Sequence, residues 1–237
     1  MNQNQYRELS KEGLVVLPRL LSKTSISNIL SPGVKGVPFE CRLSLRRKKI
    51  ATWLGVTQFP AYLNTRHIPG IEGSVEYGNK DGRIDLQLSK ELVEALLTTE
   101  DQQQIQNIIL LLNKNSKDPF RISHIHLLIA YANEAKIQDW HQDNASTFAD
   151  GYFTVFIPLN HEEKMGVTEF IPQSCSKKSP PVKEESYSPQ LSPGDAVMFS
   201  GKLWHRGHAN QSNQNRYILY FVLTNQPNHL VKDQWKI

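Results

Sequence analysis

Apolar residues recur at helical spacing in the first half of the chain and at strand-like density in the second, with the change near residue 120. Residues 6–22, YRELSKEGLVVLPRLLS, read as a short helix, a break at Gly13, a strand over 14–17 and a proline-led turn. A second short helix is expected over residues 25–30. Residues 31–85 scatter glycine and proline between short apolar stretches, which predicts loops and small strands. Two helices follow. Ser89 can cap one whose apolar positions are Leu92, Val93, Leu96 and Leu97, and Thr98 with Asp101 has capping-box spacing before Ile105, Ile108, Ile109 and Leu112. Each has one apolar face and needs a sheet to pack on.

From Phe120 the pattern is five short stretches rich in β-branched and aromatic residues: FRISHIHLLIAYA, GYFTVFIPL, VTEFIP, AVMFS and RYILYFVLT. Consecutive strands without intervening helices predict an antiparallel sandwich or barrel, so the fold class is α+β, mainly β. The low-complexity stretch SCSKKSPPVKEES, residues 174–186, reads as a mobile loop between strands. In the last strand Arg216, Ile218, Tyr220 and Val222 share one face and Tyr217, Leu219, Phe221 and Leu223 the other.

Composition sets the class. At 237 residues, with 39% hydrophobic and 21% charged, the chain fits one folded domain rather than a disordered or fibrous protein. No run of 18 apolar residues predicts a membrane span. The polar opening lacks a secretion-signal pattern, and Cys41 and Cys175 give no disulfide framework, so a cytoplasmic location is expected. The net charge of +4 is uneven: residues 1–119 carry 16 basic and 12 acidic side chains, residues 120–237 carry 11 of each. Arg42, Arg46, Arg47, Lys48 and Lys49 make the excess, a cluster able to dock nucleic acid or an acidic protein but more often a solvated edge.

Candidate chemistry centres on WHQDN. On extended backbone His141 and Asp143, two positions apart, point to one side and can converge on a metal ion. His205 offers a third ligand, and Arg216, opening an apolar strand, is costly to bury unless it meets an anion. Two histidines and a carboxylate with open positions form the facial triad of non-haem Fe(II) oxygenases, and a buried arginine suits the far end of a dicarboxylate. His208 is a rival third ligand. His124 and His126 form an HxH without the glutamate that would follow in a cupin site, so they read as ordinary polar strand residues. Trp140 and Trp204, each preceding a candidate ligand, read as packing, and neither cysteine has a base nearby.

The segments WHQD, GVTEFIPQS, GD-x9-WHRGHANQSNQNR and the opening residues 6–22 resemble the iron- and 2-oxoglutarate-dependent dioxygenases, most closely the phytanoyl-CoA dioxygenase-like group. That group's H-x-G-x-x-N-x-S-x-x-x-R run is matched by His205, Gly207, Asn210, Ser212 and Arg216, and the eleven-residue spacing favours His205 over His208. Where the group has Gly-Ser-His, this chain has Gln173, Ser174 and Cys175.

The resemblance implies a double-stranded β-helix, a jelly-roll or cupin-like barrel, buttressed by N-terminal helices. It implies that His141, Asp143 and His205 bind Fe(II), that Arg216 anchors 2-oxoglutarate with Ser212 and Tyr131 as further cofactor contacts, and that O2 takes the open position. A purely structural tyrosine at 131 is equally compatible. The expected reaction is hydroxylation of a small molecule with release of succinate and CO2; because Asp143 is a carboxylate, halogenation is disfavoured. The single domain 1–237 then divides into a helical, loop-rich support and substrate-access region at 1–119, a barrel core at 120–224 and a tail at 225–237. The rivals are an oxygenase acting on nucleic acid or protein, a non-catalytic metal-binding jelly roll, and a zinc hydrolase on the same ligands. Salt-sensitive binding to a macromolecule marks the first and a closed four-ligand site the second; turnover without O2 or 2-oxoglutarate marks the third.

Overall fold

A computed structural model of the chain describes residues 1–30, 71–76, 82–144, 151–181 and 185–226; Cys41 and the basic cluster at residues 42–49 lie outside them. Helix α1 (Gln3–Glu12) opens with a capping box between Asn2 and Gln5 and closes at Gly13, whose φ of 82° lets its N–H reach the Leu9 carbonyl. A Cβ at Gly13 would come within 2.7 Å of Leu203 and 2.8 Å of Cys175, so this C-cap is also a point of close packing. Strand β1 (Leu14–Leu17) and helix α2 (Lys23–Ile29), capped by Ser22, follow. Helices α3 (Lys90–Leu96) and α4 (Thr99–Lys114) begin at the predicted caps Ser89 and Thr98, whose hydroxyls accept the N–H groups of Leu92 and Asp101.

The remaining strands are β2 (Ile71–Glu76), β3 (Arg83–Leu88), β4 (Arg121–Ala130), β5 (Tyr152–Pro158), β6 (Thr168–Phe170), β7 (Ala196–Ser200), β8 (His205–Gly207) and β9 (Arg216–Thr224). Seven form one antiparallel sheet in the order β1-β7-β5-β9-β4-β3-β2. This sheet recruits β1, β2 and β3 from before residue 120, where the sequence places only small strands. Its outward positions, among them Leu86, Leu127, Ile129, Val155, Leu219 and Phe221, share one core cluster with Leu9, Ile105, Ile108 and Leu112 of the helices. The opposite face carries Tyr152, Tyr220 and Val222, while Val197 and Phe199 meet Phe170 of the second sheet.

That second sheet is the β6–β8 pair, extended on each side by a single bridge, Phe170 with Tyr187 and His141 with His205. The layer facing the large sheet therefore runs Tyr187, β6, β8, His141. Strand β8, three residues reading HRG, has too little apolar periodicity for a sequence to declare it.

Asp101 does not close the capping box its spacing suggests. Its buried carboxylate accepts from the Ser22 N–H at 3.1 Å, the Ser22 hydroxyl at 2.7 Å and the Ser25 hydroxyl at 2.5 Å, tying the start of α2 to that of α4. Burial pushes this carboxyl up, and the hydrogen bonds from Ser25 and Ser22 outweigh it, leaving it below the usual range. Asp101→Ala is expected to destabilise the fold by about 3 kcal/mol, since both serines lose a charged acceptor. A depressed folded pKa means the contribution is complete above the unfolded value and is lost on acidification. Urea titrations of the two proteins at neutral and acid pH check both: the gap narrows as pH falls.

Candidate metal centre

His141, Asp143 and His205 are brought together at the junction of the two sheets. Backbone N–H and carbonyl groups of His141 and His205 pair reciprocally at 3.0 Å, which fixes the two histidines side by side across β8. The segment carrying His141 and Asp143 is not a regular strand; beyond that bridge it turns, and the turn aims the carboxylate back at His205. One ligand atom from each of the three residues lies within 4.8 Å of the others. His205 Nε2 stands 3.3 Å from Asp143 Oδ1.

Each imidazole is held by its other nitrogen. His141 Nδ1 lies 2.9 Å from the Asp139 carbonyl and His205 Nδ1 lies 2.9 Å from the Leu203 carbonyl. A carbonyl only accepts, so both Nδ1 atoms carry hydrogen and both Nε2 atoms present a lone pair, the arrangement metal-bound histidines adopt. Thr154 on β5 donates its hydroxyl to Asp143 Oδ2 at 2.7 Å, leaving Oδ1 toward the histidines. Phe199 and Phe170 close over the His205 ring at centroid distances of 4.8 and 5.9 Å.

The electrostatics agree with a cation site. The Asp143 side chain is 27% exposed at the edge of the site; partial loss of water acts to raise its carboxyl, but His205, His141 and the Thr154 hydroxyl outweigh it and hold it at about 2. Burial acts to lower His205, and the Asp143 carboxylate reverses that, leaving it above its ordinary value. His141 is lowered, by burial and by His205. A divalent ion would be met by the Asp143 carboxylate and by the Nε2 lone pairs of the two neutral imidazoles together.

Arg216 is 5% exposed at the start of β9 and faces a cavity between the sheets lined by Phe156, Asn160, Thr168, Phe170 and Gln190. Among the described residues its guanidinium makes no hydrogen bond or ion pair, and its Nε is buried without a partner. Burial, and then the charge of Arg83, lower it to about 10, so it remains cationic at neutral pH. A buried, charged, unpaired donor fork is the feature a dicarboxylate's far end would complete. The loop before it is cross-linked by hydrogen bonds: Asn210 donates to the Ala130 and Gln214 carbonyls, and Ser212 accepts from the Gln214 N–H while donating within the same turn.

The other sequence candidates are dispersed. His208 Nε2 sits 2.9 Å from Glu169, which also holds Arg206 at 2.7 Å, so it belongs to a clasp with Glu169 rather than to the triad. Tyr131 is buried in the helix-side core cluster with Ile129 and Leu159. Trp140 lies beneath the Arg206 guanidinium at 4.3 Å, and both it and Trp204 are half-buried. His124 and His126, read from the sequence as ordinary strand residues, are 8% and 2% exposed on the inner face, with His126 Nδ1 3.0 Å from the buried Asp85. Residues 174–186 begin firmly anchored: Ser174 is fully buried and accepts the Trp204 N–H, and Trp204 Nε1 donates to the Lys177 carbonyl. Just before them Gln173 has φ 59°, a left-handed conformation that explains glycine at that place in the related motif; Glu12 holds Gln173 through two hydrogen bonds.

The phytanoyl-CoA dioxygenase (PhyH) family model matches residues 82–218, more than half of the chain. The chain belongs to the phytanoyl-CoA dioxygenase family. The match reaches back to β3, which the sequence resemblance did not cover, and leaves residues 6–22 outside. No curated protein matches the chain in sequence. Among solved structures, SnoK, the non-haem α-ketoglutarate-dependent carbocyclase of nogalamycin biosynthesis, aligns with a TM-score of 0.61 at 16% identity, over 94% of this chain and 84% of its own. EvdO2 from Micromonospora carbonacea var. aurantiaca, complexed with 2-oxoglutarate, aligns at 0.61 with 14% identity, over 96% and 92%. The epimerase SnoN, solved with Fe3+, α-ketoglutarate and nogalamycin RO, aligns at 0.60 with 14% identity, over 97% and 88%. The likeness extends over the whole fold. No described helix is long and apolar enough to cross a membrane.

Two substitutions separate the roles of neighbouring residues. Thr154→Val keeps the shape of β5 but frees Asp143 Oδ2 to rotate, and is expected to weaken iron binding by about tenfold, within the range for groups that orient metal ligands. His208→Ala leaves iron affinity unchanged because its partner is Glu169. Anaerobic Fe(II) titrations of both variants check the pair, and loss of iron from His208→Ala would overturn the ligand assignment.

Proposed function

We propose that the protein is an Fe(II)- and 2-oxoglutarate-dependent oxygenase that hydroxylates a small-molecule substrate, with release of succinate and CO2. The observation that carries this reading is the ligand set: two Nε2 lone pairs and one carboxylate oxygen within 4.8 Å, each oriented by a second hydrogen bond. The facing sheets are read as a double-stranded β-helix, whose inner face positions the site and whose outer face is braced by the helices. Under this reading the whole chain acts as one domain in the cytoplasm.

His141, Asp143 and His205 would hold the iron. When bound, iron with 2-oxoglutarate supplies the oxidising chemistry. The chain's own contribution is orientation and exclusion of water. Arg216 would take the far carboxylate of 2-oxoglutarate, and the Asn210–Ser212 turn lies just before it on the chain. Thr154 fixes which Asp143 oxygen faces the metal, and Phe170 and Phe199 keep solvent from His205. Tyr131 acts through packing behind β4.

Anaerobic reconstitution with Fe(II) and 2-oxoglutarate should produce a weak visible charge-transfer band, and admission of oxygen should release succinate. A wild-type protein showing neither overturns the reading; turnover of an ester or amide with zinc, without oxygen, would favour the hydrolase instead.

A further inference from the structure

Arg216 faces a cavity that none of the metal ligands lines. The inner faces of β5 and β9 form one wall and β6 with residues 189–191 the other; at its inner end stands Phe170, stacked on the His205 ring at 5.9 Å. His161 and Gln190, both exposed, mark its rim, so solvent reaches Arg216 here without passing His141, Asp143 or His205. The cavity measures about 50 Å³, several times the roughly 10–15 Å³ that one water needs, which is room for a small ion rather than an extended molecule.

Its lining suits an anion. Among the described residues no carboxylate lines it, and much of the wall is apolar, including Phe156, Met165 and Leu191. Three hydrogen-bond donors are left to the cavity. The Arg216 guanidinium is one, with its buried Nε unpartnered. Thr168 stands two positions before Phe170 on β6 and so shares its face; neither its hydroxyl nor the Gln190 amide makes a hydrogen bond among the described residues. Asn160 is already engaged, by the Asn215 carbonyl and the Tyr217 N–H. A second cation adds to the demand for negative charge. Strand register places Arg83, Ala130 and Arg216 in one row across β3, β4 and β9, with only a methyl side chain between the two buried arginines. A buried cation with donors turned to a cavity is costly unless an anion meets it.

We propose that this cavity is a small-anion site, in which a monovalent anion of halide or short-carboxylate size binds Arg216, with Thr168 and Gln190 as further donors, and competes with the cosubstrate for the guanidinium. The anion site stands on the cavity and its donors; the competition rests on the oxygenase reading above and adds a regulation to it. The concentration of free anion then sets how much 2-oxoglutarate the protein needs, through direct exclusion and with no conformational change.

The test begins with the full chain freed of metal by chelation and melted in sodium gluconate, a bulky anion, with chloride or formate replacing gluconate at constant ionic strength. Chloride and formate are expected to raise the Tm of the unchanged chain saturably and to leave Arg216→Met unmoved. Thr168→Val should need about tenfold more of either ion for half the effect, as for loss of one hydrogen bond to a charged group. A Tm that ignores these ions, or an equal response in Arg216→Met, overturns the site, and an unchanged requirement in Thr168→Val removes that residue from it. In the anaerobic iron form, the 2-oxoglutarate concentration that half-develops the visible band should rise about tenfold when chloride stands at ten times its own dissociation constant. At equal chloride the rise should be smaller in Thr168→Val, which would not hold for chloride bound at the iron. A band whose 2-oxoglutarate dependence ignores chloride overturns the competition and spares the oxygenase reading. Ion-dependent melting with no band at any 2-oxoglutarate concentration overturns the oxygenase reading and the competition with it, and supports the anion site.

Discussion

Asp143→Ala protein is expected to take up no iron under conditions in which the unchanged chain, on the proposed ligand set, binds it. The substitution would remove the only anionic member of the proposed ligand set and leave two imidazoles, which hold a divalent ion more weakly against water, so affinity should fall by at least about 100-fold. Among the described residues the other buried carboxylates are engaged: Glu169 by Arg206 and His208, and Asp85 by His126 and Tyr220. The same change has a signature in the metal-free protein. His205 loses the carboxylate that raises it, so its imidazole should titrate at lower pH than in the unchanged chain, which NMR would read directly. Asp143 itself titrates at about 2, below its unfolded value near 3.8, so its stabilising effect is complete above about pH 4 and is lost as the pH falls through about 2. The Ala variant lacks that part of the acid dependence. Iron measured after anaerobic gel filtration decides the main claim: a full equivalent retained by Asp143→Ala would remove the carboxylate from the ligand set.

How far the sequence reveals this site depends on the kind of residue. His141, Asp143, His205 and Arg216 are polar residues at recognisable spacings, and their chemistry limits what they can be for. The N-caps Ser89 and Thr98 and the strands β7 and β9 are equally plain, because capping and apolar alternation are local. Strand β8 is hidden because its three residues gain their conformation from pairing with β6 and with His141. Thr154 looks like any β-branched strand residue, and only the register that sets it under Asp143 gives it a role. Asp85, His126 and Tyr220 are separated by 41 and 94 positions, so their hydrogen bonds exist only once β3, β4 and β9 are side by side. His208 shows the reverse: a histidine of the right type, three positions from a ligand, is turned to Glu169 by the alternation of β8. Local chemistry is legible, and which side chains face one another across strands is not.

Arg216→Met is expected to act in opposite directions on stability and on cosubstrate binding. In the ligand-free protein the guanidinium is a buried charge with no ion pair among the described residues and a second cation, Arg83, near enough to lower its pKa. Removing such a charge in favour of an apolar side chain of similar length relieves desolvation and like-charge repulsion, so the variant should be as stable as the unchanged chain or more so, by about 1–4 kcal/mol. Cosubstrate binding should fall steeply: loss of a desolvated bidentate arginine–carboxylate pair costs about 2–5 kcal/mol, or roughly 30- to 4,000-fold in the 2-oxoglutarate dissociation constant. Arg216→Lys keeps a point charge without the planar fork and should fall between them in affinity, with no gain in stability. Thermal melts of the metal-free proteins and 2-oxoglutarate titrations of the anaerobic iron forms give both readouts. A structural arginine would show destabilisation with unchanged cosubstrate affinity, whereas a stabilised fold that no longer binds 2-oxoglutarate marks a residue kept for its ligand at the expense of the fold.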